Sequence, residues 1–344
     1  MGGPVIADLR TTPLRAPLRR PWGPDVTSLR VVAATIADSA GGSGVGFSWT
    51  PSAGASAVRA LLETDVRAAV SGLPAEPEPV WDRMRAALAD AGAGGVTTMA
   101  MAAVDIALWD LRARRAALPL VELIGRRRTA VPVYGSGVNL HCPVDELVEQ
   151  VRRQVDAGYA GVKIKVGPGV PLMIDANQRW DLPAALRAVR ALAAYEPHWI
   201  EEPLPADDLR AHAALRARCA VPVAIGENLH TAARFAEAIR VGACDIVQPN
   251  VVRVGGITPF RAIAALASAA GVGFAPHLLL DLVGQLAMTL PQDTWVEDVE
   301  DADFAALGLL AAPSGVRVAD GVLTAHTGPG HGLRFREPNP EDDA

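Results

Sequence analysis

The chain has 344 residues, half of them apolar and a fifth charged, so it can bury a large core and lacks the composition of a disordered protein. Its net charge is −6 with acidic and basic residues interspersed, which leaves no basic stripe for nucleic acid. Three widely spaced cysteines, Cys142, Cys219 and Cys244, form neither a disulfide framework nor a zinc pattern and fit the reducing cytoplasm.

The N-terminal residues have no apolar stretch of signal-peptide type. VIADLRTTPLR and SLRVVAATIAD read as strands, and a turn at SAGGSGVG leads to a third. Helical patterns follow at 55–71, 78–90, 97–115 and 118–124, with Pro74, Pro77 and Pro79 as punctuation. This predicts an α+β domain over residues 1–125. From residue 126 to 315 short apolar runs alternate with amphipathic helices: VPVYGSG, GVKIKV, PLMIDAN, HWIEEPL, VPVAIGE, CDIVQPN, VGFAPH and TWVED. Eight such runs predict a parallel (β/α) barrel of TIM type. Residues 262–280 carry no charge, but Gly271, Gly273, Pro276 and His277 break them into a helix end, a turn and a buried strand, so no membrane span is expected. Residues 316–344 return to β-turn-β character and are expected to pack on the first domain.

Of the 32 basic residues 30 are arginine, and the only lysines are Lys163 and Lys165 in GVKIKVG. Arginine does not release its proton in a protein, whereas lysine can. Alternation puts both lysines on one face of a strand, where each ammonium depresses the other's pKa and suits one of them to act as a base.

In parallel barrels catalytic groups lie at the C-terminal ends of strands. The polar residues there are Lys165, Asp175, Glu201, Glu227, Asn250, His277 and Glu297, separated by 10, 26, 26, 23, 27 and 20 residues. One carboxylate at a strand end can simply cap a helix or pair with arginine. Three on successive strands, Asp175, Glu201 and Glu227, repel one another unless a cation intervenes, and an all-oxygen set suits Mg²⁺, with Mn²⁺ the alternative.

The runs KIK, IDAN, IEEP, IGEN, GGIT and APH, with ALWDLRARRAALPLVELIG in the first domain, resemble the mandelate racemase and muconate lactonizing branch of the enolase superfamily along nearly the whole chain. The resemblance implies a capping α+β domain over a modified barrel, and one Mg²⁺ held by Asp175, Glu201 and Glu227. It implies a substrate carboxylate on that metal, with Lys165 as the base that takes the α-proton and Lys163 polarising the carboxylate and lowering the pKa of Lys165. Glu297, ending the eighth strand, matches an acid that hydrogen-bonds the substrate carboxylate in its protonated form. Asn177 supports Lys165 or the metal shell, and His277 is the second acid/base. His141, His198 and His230 read as structural. Where mandelate racemase-like members have an Asp partner for this histidine, this chain has Asn250, expected to accept a hydrogen bond from the imidazole without stabilising imidazolium. That favours a one-base reaction, elimination of water from a sugar acid or related hydroxycarboxylate through an ene-diolate. Racemisation or epimerisation with the same metal and lysine is the alternative. A Schiff-base lysine barrel is a further chemistry, against which three convergent carboxylates argue. Two cap loops, residues 19–26 and 47–54, are expected to read the substrate, with Trp22 and Trp49 as apolar walls and Arg19 or Arg20 as an anion contact. A homo-oligomer is expected, and a small-molecule carboxylate rather than nucleic acid or membrane as partner.

The 10-residue step from Lys165 to Asp175 is anomalous. Parallel neighbours need a crossover of a dozen or more residues, usually with a helix. Only residues 167–171 separate the two strand motifs, so about 15 residues of one βα unit are missing from the chain as read. The expectation is an omitted segment near residues 167–169, or else a true deletion with a distorted barrel.

Overall fold

The computed structural model describes residues 3–22, 25–51, 53–137, 143–163 and 172–342. Three antiparallel strands open the chain, β1 (Ile6–Pro17), β2 (Ser28–Asp38) and β3 (Ser43–Thr50), in the order β1-β2-β3. Helices α1 (Ala55–Leu61) and α2 (Arg67–Val70) run on through a single π turn at Leu62–Val66, followed by α3 (Pro77–Ala87), α4 (Val96–Arg115) and α5 (Leu120–Ile124). Ile6, Leu9, Val32 and Ile36 of the sheet pack with Val58, Leu62, Val66, Val80 and Met84 of the helices and with Val104 and Leu108 of α4. Helix α4 is buried almost all round, because Ala100, Ala102, Ala103 and Ala107 let neighbours approach closely on several sides. On one side β3 lies directly on it. A Cβ at Gly46 would stand 2.0 Å from the Ala103 carbonyl oxygen, and one at Gly44 2.1 Å from that of Ala107.

The second unit alternates strand and helix. In chain order it comprises β4 (Val131–Ser136), α6 (Val144–Asp156), β5 (Gly161–Lys163), β6 (Leu172–Asp175), α7 (Leu182–Leu192), β7 (Trp199–Glu201), α8 (Leu209–Arg216), β8 (Val223–Ile225), α9 (Ala232–Arg240), β9 (Ile246–Val247), α10 (Ile257–Ala270), β10 (Gly273–Phe274), α11 (Leu280–Ala287) and β11 (Val296–Val299). Each of the eight expected runs contributes one strand. The strands pair in parallel from β10 through β9, β8, β7, β6 and β5 to β4, and β11 pairs with the other edge of β4. Among the described residues no ladder joins β10 to β11. Tyr134, Met173, Trp199, Ala224 and Ala275 form a cluster among the strands, with the Tyr134 and Trp199 rings edge to face at 5.5 Å. Within residues 262–280 lie the end of α10, a left-handed turn at Gly271 and strand β10. No described helix is long and apolar enough to cross a membrane.

Strands β5 and β6 are parallel neighbours, Val162 opposite Leu172 and Lys163 opposite Met173, and among the described residues no helix separates them. The expected omission near residues 167–169 falls in 164–171, outside the described residues. Helix α6, just before, is turned unusually. Its buried residues are Gln150 and Gln154, while Val144, Val148 and Val155 are exposed.

The two units meet where α4 crosses the start of α10. Asp105 accepts hydrogen bonds from the Thr258 backbone N–H at 2.9 Å and from its hydroxyl at 2.6 Å, and the Trp109 indole donates to the Thr258 oxygen. Gly256 has φ +114°, and a Cβ there would meet the Asp105 carboxylate at 2.3 Å, which is the physical reason for glycine in the GGIT run. At the end of the chain, β12 (Arg317–Ala319) and β13 (Val322–Thr324) form a hairpin on β4. Beyond it, the His331 backbone N–H donates to Asp110 of α4, and Asp342 accepts from the Arg15 N–H of β1 at 2.6 Å while held by both terminal nitrogens of Arg336.

Candidate active site

Parallel pairing places Asp175 beside Glu201 at the ends of β6 and β7. Glu227 follows β8 by two residues, Asn250 and His277 each follow their strands by three, and Glu297 is the second residue of β11 rather than its end. Lys163, at the end of β5, gathers these groups. Its buried Nζ lies 2.6 Å from Glu297 Oε1, 3.1 Å from Glu201 Oε1 and 4.0 Å from Asp175 Oδ2. Burial alone would lower the pKa of the ammonium, but Glu201 and Glu297 outweigh it and hold it well above the usual lysine range. Lys165, the expected base, lies outside the described residues, as do His141 and Cys142. Cys219 and Cys244 are free thiols.

Glu201 is fully buried. Besides Lys163 it accepts from the Trp199 indole at 3.2 Å and from the Gln248 amide at 2.9 Å. Its carboxyl is pushed up to about 7, first by burial; Lys163 opposes the rise, and the charges of Asp175, Glu297 and Glu227 add to it. Glu202 adopts a left-handed backbone (φ +37°) and turns instead to Asn228, whose side-chain amide donates to it at 2.7 Å. Asn177 donates to both oxygens of Asp175, through its backbone N–H and its side chain, each at 2.8 Å, and so braces a carboxylate.

Glu227 Oε2 lies 3.0 Å from His277 Nε2, and Arg253 donates to the Glu227 carbonyl and to Asn228. Burial would raise the Glu227 carboxyl, but His277 and Arg253 hold it far below the usual range. His277 is pulled down by burial and, more strongly, up by Glu227 and Glu297. The expected protonated form of Glu297 is not what this arrangement favours. Lys163 and His277 overcome its burial and hold it below the ordinary carboxylate range, as an anion. The Asn250 contact also differs from expectation. The Asn250 side-chain oxygen already accepts the backbone N–H groups of Val252 (3.0 Å) and Arg253 (3.2 Å), so its Nδ2, 3.0 Å from His277 Nδ1, donates to the ring instead of accepting from it.

Among the described residues no three acidic or histidine groups close around a single ion-sized point. The carboxylates are turned to Lys163, Trp199, Gln248, His277 and Asn177. Their chemistry nevertheless fits a hard divalent cation: the donors are all oxygen, they stand at or just past the ends of three successive strands, and Glu201 is raised first by burial and further by the charges of Asp175 and Glu227. Asp175, Glu201 and Glu227 would hold it.

Trp22 and Trp49 pack edge to face at 6.3 Å, but Trp49 is buried and lies in strand β3, so residues 47–50 of the expected loop 47–54 are strand instead. Arg19 pairs with Asp301 and Arg20 approaches Glu300, just beyond β11. Sequence reading missed Trp199, Gln248 and Arg253. The first two were accessible, since each lies two residues before a site residue, on the same face by alternation. Nothing in the run VVRVGG marks Arg253.

Comparison with known proteins agrees in both halves of the chain. Residues 8–125 match the family model of the mandelate racemase / muconate lactonizing enzyme N-terminal domain, and residues 146–339 that of the enolase C-terminal domain-like family. A 3,6-anhydro-α-L-galactonate cycloisomerase of Streptomyces coelicolor is 36% identical over 349 positions, covering 96% of this chain and 95% of the relative. An L-talarate/galactarate dehydratase of Salmonella typhimurium is 35% identical, covering 80% and 74%. Among solved structures, an L-talarate dehydratase from a Polaromonas species, complexed with Mg and L-glucarate, superposes with a TM-score of 0.88 at 35% identity over 97% of this chain and 96% of that one. A racemase from Streptomyces coelicolor with bound magnesium gives 0.90 at 35% identity, over 96% and 97%.

Proposed function

Because the chain belongs to the mandelate racemase / muconate lactonizing enzyme family of the enolase superfamily, we propose that it is a Mg²⁺-dependent lyase that removes the proton α to the carboxylate of a sugar acid and eliminates water. The observation that carries the reading is the group formed by Asp175, Glu201 and Glu227 on successive strands with the buried ammonium of Lys163 among them. Removing an α-proton from a carboxylate places a second negative charge on one carboxyl group. When bound, Mg²⁺ supplies a divalent charge that opposes it. Lys163, held as a cation, opposes it from the protein side. Lys165, as a neutral amine, takes the proton and becomes an ammonium, the adjacent C–O bond breaks, and the hydroxide leaves as water with the proton that Lys165 took up, which restores the amine. His277, across the strand ends, faces the departing oxygen with Nε2. The resulting enol becomes a 2-keto acid. Trp22, Trp49 and the segments around them, residues 19–26 and 47–54, select the substrate. The family resemblance extends this reading to a cytoplasmic homo-oligomer.

The test is incubation with Mg²⁺ and a panel of sugar acids, including galactarate and L-talarate, in D₂O. We expect release of a 2-keto acid, and loss of α-proton exchange by about 10²-fold or more in both Lys165→Ala and Lys165→Arg. Accumulation of an epimer without keto acid would establish the racemase reading instead. Exchange that survives in both variants would move the base to His277.

A further inference from the structure

The Asn250 amide is buried and its two ends are not interchangeable. The oxygen accepts two backbone N–H groups of the turn that follows β9, from Val252 and Arg253. Rotating the amide would set an NH₂ against both donors and leave all of them unsatisfied inside the protein. The NH₂ end is therefore the one that meets His277 Nδ1, at 3.0 Å. A donor facing Nδ1 requires a lone pair there. A neutral imidazole has one N–H and one lone pair, so its proton sits on Nε2. The other side of the ring agrees, since Nε2 lies 3.0 Å from the Glu227 carboxylate, an acceptor. The assignment does not depend on that contact, because Asn250 acts from the opposite edge of the ring.

We propose that Asn250 is a positioning residue that locks neutral His277 in its Nε2–H tautomer, so that the histidine side of the site donates a hydrogen bond and accepts no proton. A carboxylate at position 250 would do the reverse. It would accept from Nδ1–H and leave an Nε2 lone pair directed at the substrate, ready to act as a base. One amide in place of one carboxylate thus removes the second base of a two-base epimerisation and keeps a donor for a substrate oxygen. A proton on Nδ1, in any form of the ring, would be turned onto the NH₂ of Asn250.

The tautomer is read from ¹⁵N spectra of the imidazole nitrogens, with the His277 signals identified by their loss in His277→Gln and recorded with and without Mg²⁺. We expect Nε2 protonated and Nδ1 bare in the native protein, and the opposite in Asn250→Asp. A protonated Nδ1 in the native protein, in either a neutral or a cationic ring, overturns the proposal. Its catalytic consequence rests on the reaction proposed above and is measured separately with galactarate and L-talarate, which differ in configuration at one α-carbon. The native enzyme should not interconvert them, and Asn250→Asp should do so at least tenfold faster. Interconversion by the native enzyme would overturn that half. Turnover of neither compound would count against the assigned substrate class and leave the tautomer to the spectra.

Discussion

Single buried polar groups decide much of this molecule's behaviour, and Asp105 shows how. It sits in the joint between α4 and α10 with no exposure to solvent. Burial raises its carboxyl to about 7, against the opposing hydrogen bonds of Thr258 and Ile257. An unfolded Asp titrates near 3.9, so between about pH 4 and 7 the native state holds a proton that the unfolded chain has lost. This contribution to stability is therefore complete below about pH 4 and fades as pH rises through 7, with an upper bound on the order of 4 kcal/mol. Asp105→Asn removes the titration while keeping an acceptor for Thr258. Urea unfolding of both proteins from pH 4 to 8 should show the native protein losing stability relative to the variant as pH rises. Parallel pH profiles would show that Asp105 does not carry a shifted proton. The same scale explains what the residues revealed unaided. The three carboxylates and His277 announce themselves because each ends or closely follows a strand at the βα repeat, whereas the direction of the Asn250 hydrogen bond depends on which N–H groups the following turn presents.

Among the elements, β3 and α4 make the closest approach. Gly44 and Gly46 have ordinary backbone angles, so their importance is steric: only a missing Cβ lets the strand lie against the helix carbonyls. Gly46→Ala should cost about 3 kcal/mol by overpacking, measured as a lowered urea midpoint at unchanged m-value, and a loss under about 0.5 kcal/mol would mean that the strand can lift without penalty. Helix α6 poses the opposite question. Gly135 and Gly137 of the β4 region make room for Gln154 and Gln150, and its valines face outward. In a barrel of regular units that flank lies against the helix following the second strand, the element absent between β5 and β6 among the described residues. The alignment with the Streptomyces cycloisomerase spans 349 positions, yet 96% of this chain is about 330 residues, so about 19 positions of the relative face a gap in this chain. Within the 344 residues Lys165 and Asp175 stand 10 positions apart, too close for the crossover helix of a regular βα unit. Periodicity alone made the eight strands legible. It could not show that α6 buries its glutamines, because that depends on which neighbours the helix finds.

At the scale of the whole molecule, two contiguous stretches of sequence were enough to suggest a cap and a barrel, because strands of antiparallel type give way to a strict strand–helix alternation near residue 126. What holds the two together was hidden. Asp105, Trp109 and Thr258, or His331 and Asp110, are ordinary residues until the fold brings them together over separations of 149 to 221 positions. The longest such tie has a consequence for how the protein comes into being. Asp342 receives the backbone N–H of Arg15 across 327 residues, and Arg336 donates to the Arg15 carbonyl oxygen. The first strand of the cap therefore leaves the ribosome long before its last partner exists. Throughout synthesis that edge has an open N–H and carbonyl, free to pair with another nascent chain. The cap can form its sheet early, but its outer edge is finished only when translation reaches the final turn, so order of manufacture and order of completion run in opposite directions along this polypeptide.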